Sequence, residues 1–212
     1  MNHQLLKEKL QATIKNIHTI NDGSPVTNLK LDKTVEKEIE QLTTDLESLN
    51  YHPQPLLYTP NLLEGTWQLL YSTAREIRFL DSLPLGLKVG EVYQIINIAN
   101  KTFFNLAQVR HPLKLISGFV KVTASFEPAI NTSGLADKRI NVYFDKRYLA
   151  IEKILGIDTP KLNPFKVVKA NNPRGRVATL DITYLDENFR IGRGGDESLF
   201  ILNKANVEAL SS

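Results

Sequence analysis

Two arginines and three glycines crowd into six residues near the end of this 212-residue chain, in the run RIGRGG over 190–195. Arginine beside glycine is the material of a phosphate cradle or a nucleic-acid contact. A phosphate loop of the GxxxxGK[ST] kind needs a lysine and a helix whose first amides face the anion. Here no lysine follows, Asp196 and Glu197 come at once, and the flanking runs read as strands. Gly192, Gly194 and Gly195 are spaced 2 and 1, which is not GxGxxG. Nucleic-acid binding calls for basic residues interleaved with exposed aromatics, whereas Tyr184 and Phe189 fall at strand positions that read as buried. Nucleic acid is therefore not an expected partner.

Other reactive types are sparse. There is no cysteine, which excludes disulfides, thiolate metal sites and cysteine nucleophiles. The four histidines, His3, His18, His52 and His111, show no HxH or HExxH spacing and read as surface or packing residues. No GxSxG elbow is present. Asp181, Asp186 and Glu187 cluster in sequence, but two of them lie in the turn DEN (186–188), where such residues are favoured for turn geometry alone. The chain carries no cofactor motif and reads as a non-enzyme.

Two amphipathic helices come first. Leu6, Leu10, Ile14 and Ile17 make one apolar stripe. After the breaker NDGSP (21–25), Leu31, Val35, Ile39, Leu42, Leu46 and Leu49 make another, with Asp32 as its N-cap. YHPQP (51–55) ends the second helix. The narrow stripes suit an antiparallel pair, which places a helical hairpin at 1–58 and a second domain at 59–212.

From about residue 62 the period becomes 2. Strand-like runs follow in GTWQLLYST (65–73), 91–98, 102–110, 116–127, 138–144, 177–185, 189–193 and 198–202. Trp67, Leu69 and Tyr71 share one face of the first by alternation, as do Gly118 to Phe126 of the fourth. About eight sequential strands with short turns read as an antiparallel barrel or sandwich. A barrel of that size can hold one small apolar ligand.

Two segments interrupt the strands. The apolar 75–90, with Pro84 and Gly86, stands where a lid over a barrel mouth would be, carried by Phe79, Leu80, Leu83 and Leu85; ordinary packing against the barrel end is the alternative. Segment 146–176 holds eight Lys/Arg against two Asp/Glu and three prolines, and is expected to form a short helix near 148–155 with irregular chain after it. Residues 1–60 carry a net −2 and 61–212 a net +5. The basic segment suits an anionic lipid headgroup or an acidic partner, or is simply a solvated face. There is no apolar run of membrane-spanning length.

Leu63–Thr73 (LEGTWQLLYST), Val92–Asn97 and above all YLDENFRIGRGGDESLFIL (184–202) resemble the plastid-lipid-associated protein/fibrillin family of plants and cyanobacteria, over about 61–203. In the last block Tyr184, Leu185, Asp186, Arg190, Ile191, Arg193 and Gly194 carry the resemblance. It implies an α+β chain, with the helical hairpin followed by an antiparallel eight-stranded lipocalin-like barrel. It also implies binding of lipid, isoprenoid-quinone or carotenoid-type molecules, association with thylakoids or lipid globules, and roles in photoprotection, stress and prenylquinone support. Gly65–Trp67 is similar to the GxW that opens lipocalin barrels, where a late arginine packs over the Trp. Arg193 is the first candidate for that clasp and Arg190 the second, with Asp186 beside them. Trp67, Tyr71, Tyr93, Phe104, Val122, Val142 and Tyr184 are the expected lining of a ligand-holding interior; the alternative is that these side chains simply fill the core. The expected partners are a hydrophobic small molecule or lipid, a peripheral membrane surface and, as the alternative function, an isoprenoid-pathway enzyme docked on the hairpin. The N-terminus lacks the look of a transit peptide, which points to a cyanobacterial protein at the cytoplasmic thylakoid face, or to a processed plastid protein.

Overall fold

A computed structural model describes residues 2–20, 31–78, 83, 86–170 and 176–206. The two apolar stripes form helices α1 (His3–Ile20) and α2 (Lys33–Glu47). The Asp32 carboxylate caps α2 by accepting from the Thr34 amide at 2.8 Å. Neither stripe is spent on the helix pair alone. Leu6, Leu10, Ile14 and Ile17 of α1 and Ile39, Leu42 and Leu46 of α2 form one buried cluster with Tyr71, Tyr184, Phe189, Ile191, Leu199 and Ile201 of the strands.

Ten strands follow: β1 (Gly65–Ser72), β2 (Lys88–Asn97), β3 (Thr102–Arg110), β4 (Ile116–Ile130), β5 (Ala136–Ile154), β6 (Ile157–Asp158), β7 (Lys166–Lys169), β8 (Ala178–Leu185), β9 (Phe189–Gly194) and β10 (Leu199–Lys204). Eight of them close an antiparallel barrel, in the order β4-β3-β2-β1-β10-β9-β8-β5, with β4 paired back to β5. Closure leaves these eight without a free edge. The β4–β5 pair is longer than the barrel wall needs. β5 pairs with β8 at 139–142, then with β7 at 146–149 and β6 at 153–154. The expected helix at 148–155 is thus a strand. Its backbone groups are claimed by β4 on one side and β7 on the other, and ladder pairing overrides local helix propensity. At Gly118 the two strands meet so closely that a Cβ would stand 2.0 Å from the Ala150 carbonyl oxygen.

Two bulges decide which side chains face inward. β1 shifts register against β10 between Leu69 and Tyr71, and β8 shifts against β9 between Ile182 and Tyr184. Each extra residue reverses the alternation beyond it. Trp67, Leu69 and Ile182 therefore belong to the interior cluster, and Tyr71 and Tyr184 to the cluster under the helices.

The barrel end where β1 begins is stoppered. A short helix α3 (Pro55–Tyr58) and a 3-10 turn (Pro60–Leu63) place Leu56, Leu62 and Leu63 against the interior cluster. At the opposite end the chain leaves β1 through α4 (Arg75–Arg78), and Ile77, Leu83 and Leu87 pack against the same cluster. Of the expected lid residues, Leu83 is placed there; Phe79, Leu80 and Leu85 lie outside the described residues.

Candidate ligand site in the barrel interior

Trp67 is fully buried on the inner face of β1, and its Nε1 donates to the Leu63 carbonyl at 2.9 Å. That bond ties the stopper to the barrel floor. Two cations sit over the indole ring: the Arg190 guanidinium at 4.9 Å and the Lys204 ammonium at 4.4 Å from the centroid. Arg190 donates to the Gln94 amide oxygen at 2.5 Å, and Lys204 donates to the Leu62 carbonyl at 3.2 Å and to the Glu64 carbonyl. Among the described residues no carboxylate pairs with Arg190. Burial pushes its pKa down to about 9, which leaves it charged at neutral pH. Lys204 is held below the ordinary lysine value by burial first and by the Arg190 charge second, with Glu64 opposing.

Beside this clasp lies a cavity with about 20 Å³ of room, on the scale of a single water molecule. Eight of its ten lining residues are Leu, Ile or Phe; Gln94 and Arg190 are the polar ones. The rest of the interior is filled by side chains such as Leu69, Val92, Ala107, Val120 and Val142.

The structure redistributes the expected lining residues. Trp67 and Val142 stand in the interior cluster, with Val122 packed against it. Tyr71 and Tyr184 differ from expectation because of the two bulges. Tyr184 donates to Asp186 at 2.8 Å and lies 2.6 Å from His3 Nε2, under α1. Tyr93 alternates with Val92 and Gln94, so it takes the outer face, where its hydroxyl donates to Glu91 at 2.6 Å. Phe104 is likewise outside, since its neighbour Phe103 points in, and Lys121 lies 5.7 Å from its ring.

The clasp is corrected in the same way. Phe189 and Ile191 face the helices, so Arg193 on the same face points out to α2 and not to Trp67. It donates from Nε to Glu47 at 2.9 Å and from NH2 to Glu40 at 2.7 Å, and these carboxylates outweigh burial in raising its pKa. Arg190 is the residue on Trp67. Asp186 does not touch the Trp: it accepts from the Asn188 and Phe189 amides at 2.8 and 2.7 Å and pairs with Lys7 at 2.7 Å, joining the hairpin turn to α1. Burial pushes Asp186 up, but Lys7, the Asn188 amide and Tyr184 together hold it below its ordinary value. Asp181 is engaged by Arg139 at 2.6 Å. Gln94, Lys204 and Leu63 were not foreseen; a polar residue at an inward position of β2 was the available signal for Gln94, while Lys204 needed the β1–β10 register that sets it opposite Trp67.

An eight-stranded closed barrel, stoppered at one end and floored by a Trp under a late arginine, defines a lipocalin-like fold. The sequence matches the PAP_fibrillin family model over residues 5–203, and the chain belongs to that family, the plastid-lipid-associated proteins or fibrillins. It is similar to the chromoplast-specific carotenoid-associated protein of Cucumis sativus, at 33% identity over 86% of this chain and 65% of the relative. It is also similar to the probable plastid-lipid-associated protein 3 of Arabidopsis thaliana, at 31% identity over 85% of this chain and 55% of the relative. Plastoglobulin-1 of Pisum sativum is 28% identical over 83% of this chain and 56% of that protein. The chain thus spans between half and two thirds of the length of these relatives. No solved structure matches it.

Proposed function

We propose that the protein is a non-enzymatic carrier or sequestering protein for a lipophilic molecule of the lipid, isoprenoid-quinone or carotenoid type. It would work at thylakoid membranes or lipid globules, of a cyanobacterium or a plastid, in photoprotection, stress response or prenylquinone support. The observation that carries this reading is the interior: its side chains are apolar apart from the clasp, Gln94 and its partner Asn105, and a residual cavity walled largely by Leu, Ile and Phe persists beside Arg190. The names of the cucumber and pea relatives, which refer to carotenoid association and to plastoglobules, support the ligand class. The stopper at 55–63 and the clasp on Trp67 leave the end where Ile77, Leu83 and Leu87 pack as the mouth, with Leu83 as the described part of the lid.

In the described state the cavity is too small for an acyl or isoprenoid tail. Uptake therefore requires the interior to widen. Burying a tail would repay this at roughly 25 cal/mol per Å² of apolar area. The test is titration of delipidated protein with a fluorescent fatty acid and with a carotenoid, following Trp67 emission. Saturable quenching is expected; its absence with both ligands, together with no lipid co-purifying from the native source, sinks the reading. The alternative of a partner enzyme docked on the hairpin has less support, because the apolar stripes of both helices are already covered by the barrel.

A further inference from the structure

Turn tips are usually polar, because exposed backbone and solvent favour Asn, Asp, Ser and Gly there. Two neighbouring turns at the mouth end break that expectation. The β3–β4 turn exposes Leu113 (73%), and the β5–β6 turn exposes Leu155 (69%) next to Ile157 (71%), the first residue of β6. The turns are joined by a hydrogen bond from the Leu155 amide to the Leu115 carbonyl at 2.8 Å. Leu115 and Phe165 are exposed as well. Scattered surface leucines need no explanation, but several on adjoining protruding turns form a patch.

The patch sits in basic surroundings. Residues 110–116 and 145–170 hold eight Lys/Arg and three Asp/Glu. Lys114, Lys153, Lys161 and Lys166 are exposed there; Lys153 approaches Asp158 at 3.8 Å. The opposite end of the barrel supplies the contrast. There Ile130 at the end of β4 and Leu135 in the β4–β5 turn are also exposed, but residues 127–139 hold two acids, Glu127 and Asp137, and two bases, Lys138 and Arg139.

We infer that Leu113, Leu155 and Ile157 insert into an anionic lipid surface while the lysines around them meet its headgroups, so that the barrel stands with its mouth against the membrane. Charge complementarity selects this occupant. Aliphatic tips bury in the interfacial zone, and basic residues gain from a negative surface potential that falls off within a Debye length. The inference takes lipid as the partner from the proposed function but not uptake into the interior. Trp67 titration can fail while docking holds, and the reverse.

The experiment is co-sedimentation of the full chain with vesicles of equimolar phosphatidylglycerol and phosphatidylcholine, and with phosphatidylcholine alone. Binding is expected to the anionic vesicles and to weaken as salt is raised. Leu113→Asp and Ile157→Asp are each expected to reduce it by about tenfold or more, and Lys161→Glu with Lys166→Glu by a similar factor. Ile130→Asp is the control and should bind as the parent does. All five positions are solvent-exposed, so unchanged thermal midpoints verify folding. The inference is overturned by no binding, by equal binding to neutral vesicles, by tip variants that bind like the parent, or by an Ile130→Asp loss of the same size. A dimer that Leu113→Asp dissociates, without vesicle binding, assigns the patch to a second copy and overturns it too.

Discussion

Arg190 and Arg193 stand on opposite faces of one strand and have different work. Arg190 is stacked on Trp67 inside, and Arg193 holds α2 from outside. The outer pair is bidentate and half-buried, with Glu47 also accepting from the Thr183 hydroxyl at 2.5 Å. Arg193→Ala should cost about 1–3 kcal/mol in urea unfolding, between the values for exposed and buried pairs. Arg193→Lys should recover only part of it, because a lysine cannot offer the fork. A double-mutant cycle with Glu47→Gln isolates the pair, and additivity would deny the contact its role. Asp186 carries a pH signature. Its folded pKa lies below the ordinary carboxylate value, so its stabilisation is complete at neutral pH and is lost as pH falls through the folded pKa. Asp186→Asn should therefore flatten the decline in stability below about pH 4, read as chemical-denaturation midpoints against pH. An unchanged acid limb would show that other carboxylates set it.

At the scale of elements, the helix pair belongs energetically to the barrel. Removing residues 1–58 would uncover Tyr71, Tyr184, Phe189, Ile191, Leu199 and Ile201 together. The expected outcome is a truncated chain without a cooperative thermal transition, followed by circular dichroism; a sharp melt close to that of the full chain would make the hairpin an independent appendage. The same shared cluster explains what the sequence could and could not convey. The helical stripes, Asp32 as a cap and the barrel strands were legible, because period and turn chemistry are local. The inner and outer faces of β1, β8 and β9 were not. Bulges at Leu69/Tyr71 and Ile182/Tyr184 reverse a face without changing composition. Phe189 to Gly192 are buried on both faces because the helices cover the outside, so alternation could not tell which arginine reaches Trp67. The helix expected at 148–155 failed for a related reason: its partner β7 lies about twenty residues further on, and that pairing has no local mark.

For the whole molecule, the balance between a filled interior and an apolar ligand sets both stability and capacity. A barrel interior whose cavity beside Arg190 has about 20 Å³ of room keeps its side chains in contact and gains their packing, but a bound tail must overcome the cost of widening it. Enlarging the cavity in advance should shift that balance. Ile140 lines the cavity on β5 and is buried. Ile140→Ala removes atoms that no neighbour replaces, and should lower unfolding free energy by about 2–5 kcal/mol. The same change removes part of the cost of widening, so the dissociation constant for a fluorescent fatty acid should fall relative to the parent. Ligand at a hundredfold excess over its dissociation constant should return about 2.7 kcal/mol of stability to either protein. The two readouts, thermal midpoint without ligand and affinity with it, are therefore expected to move in opposite directions. If Ile140→Ala loses stability and affinity together, the ligand does not occupy the barrel interior.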